Sequence, residues 1–385
     1  MTWIFAFSIL GPVGLITGLV LWNMSAWPRI QATSDAPRAA VSLLIPARDE
    51  ERHIDRCIQA ALAQGDRISE VLIYDDESTD STAAKVMEWA TKDSRVRLLG
   101  PNPLPESWCG KTFACAQLAQ TAKGDWFLFL DADAELAPNS IGRILGSAAR
   151  HKATLLACWP AIRCQSFWEH LLMPLLNFSV FTLFPAPLSF RDNRPALGLA
   201  HGACVLMQRV AYIRVGGHAA VRGEIFEDTA LAREWRRHGE RSVCVDGQDV
   251  ASVRMYESLA GIWRGFQKNF YPAFSHDTGY WLFMAFHLWC FTAPFVLALV
   301  LPLTAAPAWP AWTAAGCVTA MRVVMALRFR YPFWSCILHP IAETLLLALG
   351  LSSRYRCRSG KGVEWKGRRY PGRMPTGANK GHQDG

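Results

Sequence analysis

Two carboxylates one residue apart, Asp131 and Asp133, end the apolar run in "GDWFLFLDADAEL" (124–136). Such a pair can cap a helix, anchor a salt bridge or hold a metal. In an extended segment alternate side chains point to the same side, so both carboxylates could offer hard oxygen ligands to Mg²⁺ or Mn²⁺. Ions of this kind keep waters and bridge substrate phosphates, which suggests a diphosphate ligand. Acids also follow other apolar runs: Glu50 comes after "VSLLIPA" (41–47), and Asp75 and Asp76 come after "VLIY" (71–74).

The elements that must position these acids read as an α/β domain over 38–280. Short Val-, Ile- and Leu-rich runs at 40–47, 69–76, 96–100 and 126–133 are expected as buried parallel strands. Segments 48–64, 78–92 and 110–124 between them have helical character: Ile54, Cys57, Ile58, Ala61 and Leu62 share a face, Ser/Thr/Asp open the second, and Gly124 closes the third. Strand and helix in alternation imply right-handed βαβ units and a mostly parallel, Rossmann-like sheet. Ligands of such sheets bind beyond the carboxyl ends of the strands, which is where the acids collect. Nothing reads G-x-x-x-x-G-K-[ST], and no G-x-G-x-x-G follows a strand, so neither a P-loop nor a dinucleotide fingerprint is present.

Four ordered stretches carry a resemblance: "VSLLIPARDEERHIDRCI" (41–58), "VLIYDDESTDST" (71–82), "GKTFACAQLAQTAKGDWFLFLDADAEL" (110–136) and "GEIFEDTALAREWRRHG" (223–239). Together they resemble the family 2 glycosyltransferases of GT-A fold, over roughly 40–270. The resemblance implies that Pro46, Ala47 and Glu50 line a nucleoside pocket and that Asp76 meets the base or ribose. Lys111 would sit near the nucleotide phosphates at a helix start. Asp131 and Asp133 would be the D-x-D, with Asp133 the metal ligand in direct contact. Asp228 would be the general base, with Glu227 beside it. The mechanism implied is inverting: the leaving diphosphate is stabilised by metal and lysine while Asp228 takes the acceptor proton. Two departures stand out. Glu77 replaces the glycine usual in "DDGS", and no Q-x-x-R-W is present. The latter argues against a processive synthase. In its place stands "GIWRGFQKNFY" (261–271), whose Arg264 and Lys268 are candidates to cover the diphosphate or acceptor.

The ends of the chain are apolar. Residues 1–28 contain no Asp, Glu, Lys or Arg, and 3–22 has the length of about 20 residues that a membrane span needs. With no basic n-region it is expected as an uncleaved anchor. Membrane helices are expected across 281–351, at 281–304, 308–327 and, more weakly, 333–351, which carries His339, Pro340 and Glu343. The net charge of +8 is concentrated in 352–385, which reads as a basic cytosolic tail and not as a nucleic-acid arm, because it follows a membrane segment. Full crossing by 333–351 would place that tail outside, so this segment is expected to re-enter or lie along the membrane, breaking at His339–Pro340. The eleven cysteines form no C-x-x-C pair and are expected to be reduced.

The acceptor is expected to be a lipid. Segment 166–190 is apolar but broken by Pro174, Pro185 and Pro187; it is expected to lie on the bilayer and bring the site to lipid depth. "LPESWCGKTFACAQ" (104–117), "VGGHAAVRGEIFEDTALA" (215–232) and "VEWKGRRY" (363–370) are similar to the hopene-associated and carotenoid glycosyltransferases. That resemblance implies a terpenoid acceptor, glucose from a UDP-sugar, and His201 and His218 near the site. It also implies a multi-pass protein of a bacterial inner membrane with its catalytic domain cytosolic, alongside other lipid-biosynthesis enzymes. A polyprenyl-phosphate or ceramide-type glycosyltransferase is the alternative enzyme, and a non-catalytic membrane scaffold the alternative of another class.

Overall fold

The computed structural model describes residues 2–31, 37–274, 276–304, 306–359 and 361–370. Helix α1 (Thr2–Ala26) is uncharged and largely apolar. The chain then lays down β1 (Val41–Ala47), β2 (Ile68–Asp75), β3 (Val96–Leu99), β4 (Trp126–Leu130), β5 (Ala134–Leu136), β6 (Leu155–Trp159), β7 (Ala161–Ile162), β8 (Cys204–Gln208), β9 (Ser242–Asp246) and β10 (Ala251–Val253). Seven of them form one sheet in the order β3-β2-β1-β4-β8-β6-β9. The first four are mutually parallel, and β8 runs antiparallel to both β4 and β6. A small sheet, β5-β10-β7, closes over the end of β4.

Both faces of the sheet are covered, which is why its strands are apolar at successive positions. On β1, Val41, Leu43 and Ile45 pack with Ile54, Cys57 and Ile58 of α2 (Ile54–Leu62) and Val86 of α3 (Thr82–Lys92). Leu44 faces the other way, into the cluster holding Phe113, Ala114 and Leu118 of α4 (Gly110–Thr121). The first helix starts later than its periodicity suggests. Residues 48–53 instead form a turn, with Asp49 at φ 50° accepting from the Thr79 N–H at 2.7 Å. β4 likewise stops at Leu130, so Asp131 and Asp133 stand in the loop beyond it.

The remaining helices of the domain are α5 (Ser140–His151), α6 (Phe167–Leu172), α7 (Pro174–Leu183), α8 (Ala186–Arg191), α9 (Arg209–Val215) and α10 (Glu227–Arg237). Segment 166–190, expected to lie on a bilayer, is instead α6–α8, and Leu171, Leu175, Phe178 and Phe181 are buried by other parts of the chain. One hydrophobic cluster contains these residues together with Ile9, Val13 and Val20 of α1. Asn23 of α1 fastens the α7–α8 junction: its Nδ2 donates to the carbonyls of Phe181 and Phe184, each at 2.8 Å, and its Oδ1 accepts from the Ala186 N–H at 3.0 Å. Asp246, at the end of β9, pairs with Arg328 at 2.7 Å. The first helix is therefore packed into the domain and does more than tether it.

Beyond the domain come α11 (Leu259–Phe270), α12 (Asp277–His287), α13 (Ala293–Val300), α14 (Trp309–Phe329), α15 (Trp334–Ile337) and α16 (His339–Arg358). Trp3–Ala26, Asp277–Leu303 and Trp309–Phe329 are long and apolar enough to cross a membrane. Segment 333–351 is not one continuous helix, because the chain breaks at Leu338 between α15 and α16. The expected tail is also corrected. Residues 352–358 extend α16, and β11 (Val363–Trp365) pairs with β12 (Arg368–Tyr370) in an antiparallel hairpin. Residues 371–385, with Arg373 and Lys380, lie outside the described residues.

Candidate active site

The carboxyl ends of β1, β2 and β4 open into one cavity of about 670 Å³. Lys111, in the first turn of α4, sits between two acids, with its ammonium 2.8 Å from Asp131 and 2.8 Å from Glu227. Enclosure alone would lower the Lys111 pKa, but Asp131 and Glu227 hold it well above the ordinary lysine value. Lys111 in turn keeps Glu227 below the ordinary carboxylate range, against the effect of burial. Asp133 has the opposite fate: burial, then the neighbouring Asp131 and Glu50 carboxylates, push it up to about 8.

Asp228 stands beside this group at the start of α10. Its Oδ2 accepts from the Gly202 N–H at 2.7 Å, and its Oδ1 accepts from the Thr229 N–H at 2.6 Å. Those bonds favour the anion, yet burial and the adjacent Glu227 outweigh them and raise its pKa to about 7. A carboxylate so placed can exchange a proton near neutral pH. Lys268 of α11 lines the same cavity and is pushed down to about 8, chiefly by burial.

The cavity has two chemical ends. Around the acids lie Pro46, Ala47, Glu50 and Asp76, so these residues and Lys111, Asp131, Asp133, Glu227, Asp228 and Lys268 all border one space. The other end is apolar, lined by Leu176, Val180, Leu183 and Phe184 of the α7 region together with Leu197 and Leu199.

Two expected site residues are absent from the lining of the large cavity. His218 does not border the large cavity. It is buried behind it, where Tyr212 lies 2.9 Å from its Nδ1 and Phe129 packs on its ring; burial lowers its pKa to about 4. It borders a small pocket of about 20 Å³ together with Lys111, Asp131, Glu227 and Asp228, so it stands near the site, behind these residues. Arg264 is exposed on α11 and does not border the cavity, whereas Lys268, one turn further along the same face, does. His201 does border the cavity; it packs against Trp159, and burial lowers its pKa to about 4.

Three basic residues at the donor end escaped the sequence reading. Arg368 reaches Asp76 at 2.5 Å and Glu77 at 2.7 Å. Lys366 pairs with Glu50, and Arg48 donates to the Asp76 carbonyl. Arg48 sits inside a motif of obvious interest. Lys366 and Arg368 belong to "VEWKGRRY", which a similarity singled out but to which periodicity assigned no place.

Comparison with known proteins agrees with this geometry. Residues 42–216 match the family model "Glycosyl transferase family 2". The chain is 28% identical over 254 residues to 4,4'-diaponeurosporenoate glycosyltransferase of Staphylococcus haemolyticus (strain JCSC1435), covering 64% of this chain and 65% of that relative. It is 24% identical over 343 residues to the protein of the same name from Staphylococcus aureus (strain USA300), covering 86% and 88%. Among solved structures it is similar to a mannosyltransferase from Pyrobaculum calidifontis in complex with GDP-Man and Mn²⁺, at a TM-score of 0.55 and 17% identity over 91% of this chain and 95% of that one. The mixed sheet, its acidic rim and these matches agree: the chain has a GT-A-like fold, and its residues 42–216 are similar to the family 2 glycosyltransferases.

Proposed function

We propose that the protein is a membrane-bound, inverting glycosyltransferase that moves glucose from UDP-glucose to a terpenoid lipid, a carotenoid or hopanoid. The observation that carries this reading is the two-ended cavity. Acids and lysines suited to a nucleotide-sugar donor open directly into an apolar arm suited to a lipid. The names of the Staphylococcus relatives support a carotenoid-type acceptor.

The donor diphosphate lies near Lys111 and Lys268, with Asp131 and Asp133 facing it. Their donor atoms are hard carboxylate oxygens, which fit Mg²⁺ or Mn²⁺. Among the described residues no three His, Cys, Asp or Glu converge as a protein-only cage, so most of the shell would come from water and phosphate. The raised Asp133 pKa is what a carboxylate cluster shows without a cation to neutralise it. Such an ion would supply charge neutralisation to the departing diphosphate.

Asp228 accepts the proton of the acceptor hydroxyl. The acceptor oxygen bonds to the anomeric carbon as the carbon–oxygen bond to the diphosphate breaks, and that electron pair leaves on the diphosphate. The Gly202 and Thr229 N–H groups hold both Asp228 oxygens in place. The apolar arm orients the acceptor and keeps water from competing with it. The domain faces the cytosol from a bacterial inner membrane, where nucleotide sugars are supplied.

Lipid extracts from cells with and without the wild-type protein, with Asp228→Asn as control, test the proposal. A glucosylated terpenoid found only with the wild type is expected. If the sugar appears on a polyprenyl phosphate or a ceramide, the acceptor assignment is wrong.

A further inference from the structure

We propose that the β11–β12 hairpin forms a wall of the donor site and that Lys366 at its tip binds the diphosphate of a nucleoside-diphosphate donor; this rests on the glycosyltransferase reading above. Trp365 pairs with Arg368 across the hairpin, which leaves Lys366 and Gly367 as a two-residue turn. Both have positive φ, 46° and 76°, as a type I′ turn requires. Glycine adopts that region without steric cost, and asparagine is favoured at the position before it. A lysine there points to a use for its side chain.

That side chain lines the cavity. Its ammonium donates to the Arg48 carbonyl at 2.5 Å and pairs with Glu50, 316 positions away in sequence. Arg48 Nε returns a bond to the Lys366 carbonyl at 2.9 Å. With Arg368 on Asp76 and Glu77, the hairpin bridges the ends of β1 and β2.

Charge indicates what the wall is for. Glu50, Asp76, Asp131, Asp133, Glu227 and Asp228 all border the cavity, and a diphosphate entering among carboxylates is repelled unless cations accompany it. Lys111 is engaged by Asp131 and Glu227. Lys366 brings a cation to the β1 side of the site. An ammonium has three donors, so it can exchange one partner for a phosphate oxygen and still hold the hairpin to β1.

The test is equilibrium binding to the full-length protein in detergent with Mn²⁺ present. UDP, GDP, ADP and CDP are compared with their nucleosides on wild type, Lys366→Asn and Lys366→Arg. An Asn-Gly turn favours the same hairpin, so Lys366→Asn removes the ammonium and keeps the turn, while Arg48 on the residue-366 carbonyl and Arg368 on Asp76 and Glu77 still tie the hairpin to β1 and β2. The diphosphate that the wild type binds best is expected to bind about ten- to a hundredfold more weakly to Lys366→Asn. Lys366→Arg should recover most of that loss, and the nucleosides should bind all three proteins alike. Unchanged or tighter diphosphate binding by Lys366→Asn would overturn the proposal, and so would an equal loss of nucleoside binding. If the wild type binds none of the four diphosphates, the glycosyltransferase reading itself falls, and this proposal with it.

Discussion

Gly202 and Asp228 are joined by a backbone N–H to carboxylate bond of 2.7 Å, and the Lys111 ammonium lies close to the same glycine. A Cβ on Gly202 would stand 3.1 Å from Lys111 Nζ and 3.4 Å from Asp228 Oδ2. The lysine end is flexible and can yield, so Gly202→Ala should leave stability within about 0.5 kcal/mol. Lys111 would then shift by a few tenths of an ångström between Asp131 and Glu227, and kcat should fall by up to about tenfold. Steady-state kinetics beside a thermal melt check both halves.

Asp228→Asn should lower kcat by about 10²–10⁴-fold, the usual range for a positioned general base, with donor binding kept. Substantial activity in this variant would mean that the acceptor attacks without losing a proton, as a carboxylate does. Stability should move the other way. Because the pKa of Asp228 is raised to about 7 in the folded protein, ionising it costs stability as pH rises from the unfolded value near 3.9 toward 7. Asp228→Asn should therefore melt above wild type at pH 8, and the gap should close toward pH 4.

The kcat/KM for the donor should follow a bell in pH. Asp228 acts as the anion, so activity climbs as pH rises through about 7. Lys268 is pushed down to about 8, so its charge, and with it activity, is lost above that. Lys268→Arg should flatten the alkaline limb and leave the acid limb in place. A profile rising near pH 4 would remove Asp228 from the role of base.

Asn23 of α1 holds both sides of the turn that lines the apolar arm. Asn23→Ala takes a bond from the Phe181 carbonyl, at about 1–3 kcal/mol for a buried group left unsatisfied, while the Ala186 N–H and the Phe184 carbonyl keep each other at 3.0 Å. A lower melting temperature and a raised KM for the lipid acceptor are expected, with nucleotide binding unchanged. Equal loss of acceptor and donor affinity would show that the effect is global.

How much of this was legible in the sequence depends on range. Asp131, Asp133, Glu50 and Asp76 could be placed because each follows a strand whose apolar run is local, and parallel strands bring their carboxyl ends to one rim. The three long apolar spans are local patterns too. Whether His218 and Arg264 border the large cavity was not legible, since that depends on how neighbouring elements pack. The hairpin was hidden for a different reason. Lys366 meets Glu50 and Arg368 meets Asp76 across 316 and 292 positions of sequence, and a basic run after membrane helices reads by composition as a solvated tail. The burial of 166–190 by α1 is likewise a tertiary fact.

The contact of Lys366 with Glu50 has a consequence for topology, because it puts residue 366 on the same side as the catalytic domain. Arg358 is also paired to Asp277 at the start of α12, so α15 and α16 are expected to enter the membrane and return without crossing it. A reporter fused after residue 360 should give a cytosolic signal; a periplasmic one would contradict this arrangement.

The most direct test of the central claim is transfer in a defined membrane. Purified protein in liposomes would receive UDP-[¹⁴C]glucose, Mn²⁺ or Mg²⁺, and a hydroxylated carotenoid or hopanoid. The account predicts label in the terpenoid fraction with the wild type and none with Asp228→Asn. Label released only as free glucose, or equal labelling by both proteins, would contradict it.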